Sequence, residues 1–258
     1  MGVFLGGDLF PSHLSALSSE ARAFPDFVND FLAPRFAAVK EALAEDYPRV
    51  FLIMGNDDAR SEEPAILTGA RRGLWEYVQN RRVMLSQFPV FGYAYVPPTP
   101  FRLKDWERYD LSRFVDPGCT GPEEGAHSVP VPDSELRDAT IQSDLERLAG
   151  EDDLGRAIFL FHSPPYQTNL DRTALDGQMV DYVPLDPNVG SIAIRRFIEA
   201  RQPLLTLHGH VHESARLTGS WKDRIGRTYA FSAAHDGPEL ALVRFNPEDP
   251  GAATRELV

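Results

Sequence analysis

Four short apolar segments, each followed at once by glycine, asparagine or histidine, constrain the fold of this chain more than any other feature. Each has about four to six apolar residues, too short for a buried helix and typical of a buried strand. The segments lie at 3–8, 49–58, 157–165 and 203–212. Helical patterns separate them, at 27–45, 139–149 and 191–200. This alternation predicts an α/β fold whose polar loops follow the carboxyl ends of strands.

Two further regions have their own patterns. Segments 227–234 and 239–245 alternate apolar and polar residues around a Gly-Pro turn, which predicts antiparallel strands. The region at about 96–138 is rich in proline and charge, and its Trp106, Tyr109 and Phe114 predict that it packs against the rest of the protein. We therefore interpret it as a functional loop or cap within a single domain spanning 1–258.

Composition limits the classes of function. A chain of 258 residues can bury a substantial core. Its net charge of −12 disfavours long nucleic acids as partners, because proteins that bind them usually present a basic face. Cys119 is the only cysteine, and the sequence shows neither a signal peptide nor an apolar run of the ~20 residues that span a bilayer. We expect a cytoplasmic protein that does not bind membranes.

The residues that end the four strand segments are potential metal ligands. They are Gly7–Asp8, Gly55–Asp58, His162 and Gly209–His212. Aspartate, asparagine and histidine supply the oxygen and nitrogen ligands that suit Mn, Fe or Zn. In an extended segment, side chains two residues apart point to the same side, so His210 and His212 are expected to face one site.

In this order the four motifs resemble those of the calcineurin-like metallophosphoesterase family. The resemblance implies an αββα sandwich of two mixed β-sheets flanked by helices. It also implies two divalent ions, Mn, Fe or Zn, with Asp8 bridging them and His212 serving one of the two. The other ion would be held by Asp8 together with Asn56, His162 and His210. The implied activity is hydrolysis of a small phosphodiester or phosphomonoester by a metal-bound hydroxide, with Asn56 holding phosphate oxygens.

The chain departs from the family pattern at its start, because no Asp-x-His motif precedes Asp8. We therefore expect the first strand of the fold to be missing and one ion site to be incomplete, leaving room for a single ion. Our preferred interpretation is that the start codon assumed for this sequence lies downstream of the true start of translation. The alternative is that the protein has genuinely lost one ion site. His13, five residues after Asp8, is a less favoured candidate for a replacement ligand. A second functional hypothesis follows, in which the same fold serves as a protein-binding scaffold with weak or no catalysis.

A second departure concerns proton transfer. Many family members have a histidine after the Gly-Asn, acting as general acid, where this chain has Asp57. An aspartate with an ordinary pKa of about 4 is ionised at neutral pH and has no proton to donate. Either burial raises the pKa of Asp57, or the leaving group needs little protonation. His127 and His235 are alternative donors that the sequence does not place.

Several polar residues have less specific interpretations. His208 is predicted to be buried and hydrogen-bonded, because the family pattern needs only His210 and His212. Arg172, Arg195 and Arg196 are candidates for phosphate contact, although a solvated helix face is the more ordinary role for the last two.

Overall fold

The computed structural model describes residues 1–11 and 26–258. Its strands are β1 (Gly2–Gly6), β2 (Arg49–Ile53), β3 (Glu76–Tyr77), β4 (Arg81–Leu85), β5 (Phe88–Tyr93), β6 (Ile158–Phe161), β7 (Met179–Val180), β8 (Val183–Pro184), β9 (Leu205–His208), β10 (Lys222–Ile225), β11 (Thr228–Ser232), β12 (Ala241–Asn246) and β13 (Asp249–Leu257). Its α-helices are α1 (Ala33–Leu43), α2 (Glu63–Arg71), α3 (Asp133–Asp138), α4 (Ile141–Ala149), α5 (Ile192–Arg201) and α6 (Ser214–Thr218). A π-helical turn, Phe27–Leu32, leads into α1.

The strands form one large mixed sheet and three smaller ones. The large sheet has six strands in the order β10-β11-β9-β6-β5-β4. Its four central strands are parallel, and its edge strands β10 and β4 are antiparallel to their neighbours. The second sheet has three parallel strands in the order β1-β2-β3, while β12-β13 and β7-β8 are separate antiparallel pairs.

Strand β6 shows how the layers stack, because its successive side chains point to opposite faces of the sheet. Phe159 and Phe161 face helix α5, where both rings meet Phe197 with centroids 5.1 and 6.5 Å apart. Leu160 points the other way, and its Cδ1 lies 3.8 Å from the position of a Cβ on Gly6 of β1. The six-stranded sheet is therefore covered by helices on one face and by the smaller sheet on the other.

Aromatic packing anchors the helices on the far side of the smaller sheet. Phe36 of α1 meets Trp75 edge-on, with ring centroids 5.5 Å apart. The Trp75 ring also fills the space beside Gly69 of α2, and its indole N–H donates to the carbonyl of Ile66. The layers follow the order helices, sheet, sheet, helices, which is the α/β sandwich that the resemblance implies.

Strand β1 lies at an edge of its sheet. Within the part of the chain that the structure describes, it pairs with β2 alone. A cavity of about 660 Å³ with mostly apolar walls lies beside its open edge, lined also by β12 and by Leu160, Leu207 and Phe231 of the large sheet. The second layer is thus divided into β1-β2-β3 and β12-β13, where the resemblance implies one continuous mixed sheet.

Two expectations from the sequence need correction. Segments 227–234 and 239–245 do form strands, β11 and β12, but these do not pair with each other: β11 pairs with β10 and β9, and β12 pairs with β13. In the region at 96–138, Trp106 and Tyr109 are buried as expected, whereas Phe114 is 70% exposed. An aromatic ring in a proline-rich loop does not by itself indicate burial.

Among the described residues, no helix combines the length and apolar character that crossing a membrane requires.

Candidate metal centre

The site begins where strand β1 ends. Gly7 has a φ of +98°, and the next residue, Asp8, has a φ of +52°, which is uncommon for a residue with a side chain. A Cβ on Gly7 would lie 2.7 Å from Nδ1 of His162 and 2.8 Å from Cα of Gly55. Only glycine fits there, and the tight turn directs the Asp8 side chain toward His162.

The loop after strand β2 closes against Asp8. A Cβ on Gly55 would lie 2.5 Å from the Asp8 backbone nitrogen and 2.6 Å from Cε1 of His162, so this position also requires glycine. Asn56 is 6% exposed, and the backbone N–H of Asp57 donates to Oδ1 of Asp8 over 2.9 Å. The Asp57 side chain is itself exposed, so the burial considered for it is not found.

His162, at the end of β6, lies at the centre of the cluster. Its Nδ1 is 2.7 Å from the carbonyl oxygen of Gly6, which can only accept a hydrogen, so Nδ1 carries the proton. Its Nε2 faces Oδ1 of Asn56 at 3.0 Å and Oδ2 of Asp8 at 3.2 Å. Burial would lower the pKa of His162, but the Asp8 carboxylate outweighs it and raises that pKa above its ordinary value.

His210 completes the cluster from the loop after β9. Its ring centroid lies 5.2 Å from that of His162. One ligand atom each from Asp8, His162 and His210 lie within 4.8 Å of one another, a spacing that can hold a metal ion. Burial, with a smaller effect of His162, lowers the pKa of His210 to about 3, so this side chain is neutral and has a free lone pair at pH 7.

The same three groups are electrostatically suited to a cation. Burial opposes ionisation of Asp8, but the charge and hydrogen bond of His162 outweigh it and hold the pKa of Asp8 well below its ordinary value. The site therefore combines an ionised carboxylate, a neutral imidazole and a second imidazole whose Nε2 faces oxygen atoms. A cation bound at Nε2 of His162 requires that this nitrogen be unprotonated.

The structure does not bring His212 into this three-residue cluster. Its side chain is exposed, whereas Val211 is buried. The segment is a turn and not extended, because His210 has a φ of +67° and the N–H of Val211 donates back to the carbonyl of Gly209. His212 still lies near enough to His210 to contribute to the lowering of its pKa. The role of His212 as a ligand for a second ion stays a prediction.

Asp58 belongs to the predicted Gly-Asn-Asp-Asp motif, but the sequence did not predict its structural role. It is fully buried, and its carboxylate accepts from the N–H groups of Leu9 and Phe10, over 2.8 and 3.0 Å, and of Gly55, over 2.8 Å. Burial and the neighbouring Asp8 charge raise its pKa to about 7. The signal in the sequence was a second acidic residue in Gly-Asn-Asp-Asp, too common in turns to indicate this role.

The other predicted histidines lie in different surroundings. As expected, His208 is buried and hydrogen-bonded, to the carbonyl of Ser163 and the hydroxyl of Thr206. His127 contacts the carbonyl of Pro122 within the 96–138 region, and His235 pairs with Glu239. His13 lies outside the described residues.

The three candidate arginines have acidic or solvent-facing surroundings. Arg172 pairs with Asp176, and Arg195 pairs with Glu199 over 2.6 Å. Arg196 is exposed on α5. Arg195 also donates to the carbonyls of Tyr166 and Gln167 in the loop after His162, so only Arg196 has the solvated surroundings of an outer helix face.

Two of the contacts that fix the region at 96–138 to the protein lie near the metal centre. The Asp105 carboxylate accepts from the backbone N–H of Arg60, just after the Asn56 loop, over 2.7 Å. The Asp110 carboxylate accepts from the Ser191 hydroxyl and from the N–H of Ile192 at the start of α5. Ser191 in turn bonds Pro164 in the loop after His162. The region thus joins two of the loops that follow strand ends at the metal centre.

Comparison with known proteins supports the fold. No family model matches the chain, and no curated protein matches it. One crystal structure is similar with a TM-score of 0.54 and 14% sequence identity, covering 92% of this chain and 74% of the other. TT1561 of Thermus thermophilus has a TM-score of 0.49 and 14% identity, covering 99% of this chain and 96% of its own. At such identity the first likeness shows the α/β sandwich fold alone, and the second adds no argument.

Proposed function

We propose that this chain is a metal-dependent phosphoesterase of the calcineurin-like kind, acting on a small phosphodiester or phosphomonoester. The observation that carries the proposal is the convergence of three strand-end residues, Asp8, His162 and His210, with ligand atoms within 4.8 Å of one another. Asp8 follows a strand of the three-stranded sheet, whereas His162 and His210 follow neighbouring strands of the six-stranded sheet, and the positions are up to 202 residues apart. Asn56 joins them through its contact with His162.

The donor atoms suit a divalent ion of borderline hardness. One carboxylate, one amide oxygen and two imidazoles are the mixed oxygen and nitrogen set that Mn, Fe and Zn accept. A structural zinc site fits poorly, because such sites favour cysteine and a closed shell of four ligands. We therefore propose that Asp8, Asn56, His162 and His210 hold one ion. The family resemblance would add a second ion with His212, which this proposal does not require.

When bound, a divalent ion lowers the pKa of water and neutralises charge on a phosphate group. The protein residues have distinct roles around it. His162 is oriented by its hydrogen bond to Gly6, which directs Nε2 into the site. Asn56 has amide N–H groups left to donate to a phosphate oxygen as negative charge increases. Asp57 is exposed beside Asp8, so of the two alternatives from the sequence the proposal takes a substrate whose leaving group, next to Asp57, needs little protonation.

The proposed substrate is small. The region at 96–138 is fixed by Asp105 and Asp110 next to the loops of the centre, which favours a compact substrate over a folded phosphoprotein. The net charge of −12 disfavours long nucleic acids. We further propose a reducing compartment such as the cytoplasm, on the ground that Cys119 is the only cysteine.

A second candidate function is a binding scaffold with this fold. It is favoured by one observation, the exposed position of His212 outside the three-residue cluster. A scaffold has no need of Asp8, His162 and His210 together, so the two functions predict different effects of a ligand substitution.

The test is hydrolysis of bis(p-nitrophenyl) phosphate and p-nitrophenyl phosphate with added Mn²⁺, before and after His210→Gln. The matched control is His208→Gln, the same substitution two residues earlier at a buried histidine outside the cluster. The phosphoesterase predicts turnover that needs Mn²⁺, is lost in His210→Gln and survives in His208→Gln. Circular dichroism checks that both variants are folded. Absence of hydrolysis by wild-type protein with bound Mn²⁺ would favour the scaffold.

A further inference from the structure

Asp58 is not one of the three residues of the metal cluster, but it contacts the loops that carry Asp8 and Asn56. It is fully buried, and among the described residues its hydrogen-bond partners are three backbone N–H groups. One carboxylate oxygen accepts from Leu9 and Phe10, the two residues after Asp8. The other accepts from Gly55, the residue before Asn56. A single side chain therefore joins the two loops that present Asp8 and Asn56.

The loop that holds Asp8 needs such a restraint. Asp8 has a φ of +52°, in the left-handed region that residues with a Cβ seldom adopt. Such a conformation persists only where the surroundings determine it. Here the N–H groups that follow Asp8 are fixed by Asp58, and Oδ1 of Asp8 is fixed by the N–H of Asp57. Together these bonds define both the backbone and the side chain of Asp8.

The acidic character of Asp58 is otherwise unfavourable at this position. A buried carboxylate close to a second carboxylate, Asp8, is costly in free energy unless hydrogen bonds compensate it. An asparagine has a single acceptor oxygen, and its amide nitrogen would face an N–H donor. Only a carboxylate can accept from both loops at once with the geometry seen here.

We propose that Asp58 is a positioning residue for the metal centre. Its carboxylate holds the Asp8 loop against the Asn56 loop, so that the oxygen ligands of Asp8 and Asn56 both face Nε2 of His162. This inference rests on the proposed function, in that the cluster binds a divalent ion. Asp58 acts through Asp8 and Asn56 and has no contact with the ion in this assignment.

The test compares Asp58→Asn with Asp171→Asn. Asp171 is the matched control, because it is also fully buried and its carboxylate accepts from three backbone N–H groups, those of Gln167, Thr168 and Gly190. It fixes a loop whose residues do not belong to the cluster. A second variant, Asp58→Ser, has a smaller side chain with one acceptor oxygen. It is measured as well, so that the test remains possible if one of the two Asp58 variants does not fold.

Three measurements are made on metal-stripped protein: urea unfolding, calorimetric titration with Mn²⁺, and the visible spectrum after addition of Co²⁺. Both aspartate variants should lose stability to a similar degree. Asp58→Asn and Asp58→Ser should raise the Kd for Mn²⁺ by about tenfold or more and shift the Co²⁺ absorption bands, as loss of a group that orients a ligand does. Asp171→Asn should keep the wild-type Kd and spectrum.

The outcomes separate this inference from the proposed function. Wild-type Mn²⁺ affinity in Asp58→Asn, or equal loss of affinity in Asp58→Asn and Asp171→Asn, refutes the positioning role alone. A wild-type chain that binds no Mn²⁺ refutes the proposed function and the positioning role with it.

Discussion

Substituting Gly55 by alanine should damage the metal centre, because the added methyl group would collide with the Asp8 loop. The new Cβ would lie 2.5 Å from the Asp8 backbone nitrogen, whereas ordinary van der Waals contact begins at 3.4 Å. The Asp8 loop or the Gly55 loop must therefore retreat by about 0.9 Å, the difference between those two distances. Overpacking of this kind costs typically about 1–3 kcal/mol, and we expect the upper end because the opposing atoms are backbone.

The effect on metal binding should be larger than the effect on stability. Metal–ligand distances tolerate only about ±0.2 Å, so a shift of about 0.9 Å at Asp8 should weaken Mn²⁺ binding by roughly a hundredfold. The assays are urea unfolding of metal-stripped protein and calorimetric Mn²⁺ titration. Gly6→Ala is the control, because its Cβ would lie 3.8 Å from Leu160 and should leave stability unchanged or raised by up to about 1 kcal/mol. Equal Mn²⁺ affinity in Gly55→Ala and Gly6→Ala would refute the reasoning.

Three further predictions concern pH, a buried ion pair and proton transfer. Burial lowers the pKa of His208 to about 4 from 6.5, so the unfolded chain takes up a proton before the folded chain as the pH falls. The wild-type protein should therefore lose up to about 3 kcal/mol of unfolding free energy between pH 6.5 and 4. Urea unfolding should show that this loss is absent in His208→Gln. Lys104→Met removes the ammonium 2.7 Å from the buried Glu107 carboxylate and should cost about 3 kcal/mol by urea unfolding. A double variant that also carries Glu107→Leu should recover only part of this loss, because both side chains also bond Thr99. Asp57→Asn should change the alkaline limb of the rate profile or its dependence on the leaving group, and unchanged kinetics across pH and leaving groups would exclude Asp57 from the chemistry.

The strand-end residues could be predicted from the sequence because they depend on local pattern. An apolar run that stops at Gly-Asp or at histidine predicts a strand followed by a polar loop, and such loops meet at one edge of a sandwich. Asp8, His162 and His210 do meet there. The glycines at 7 and 55 follow the same logic, although the close contacts that require them are visible only in three dimensions.

The remaining features depend on long-range contacts or on rare backbone conformations. Alternation predicts an extended segment from His210 to His212, but the positive φ of His210 makes this segment a turn. Strands β11 and β12 have the pattern of a hairpin, yet each finds its partner elsewhere, since pairing is decided by packing and not by adjacency. The role of Asp58 depends on bonds to residues 48 and 49 positions away, which no local pattern indicates.

The most direct measurement is the number of Mn²⁺ ions bound per chain, by calorimetric titration of metal-stripped protein, with His210→Ala as the comparison. Binding of at least one ion that is lost in His210→Ala is the result expected from the cluster of Asp8, His162 and His210. A stoichiometry near two would add a second ion, for which His212 is the predicted ligand. No binding by the wild-type chain, or binding that His210→Ala leaves unchanged, would contradict the assignment of these residues as a metal centre.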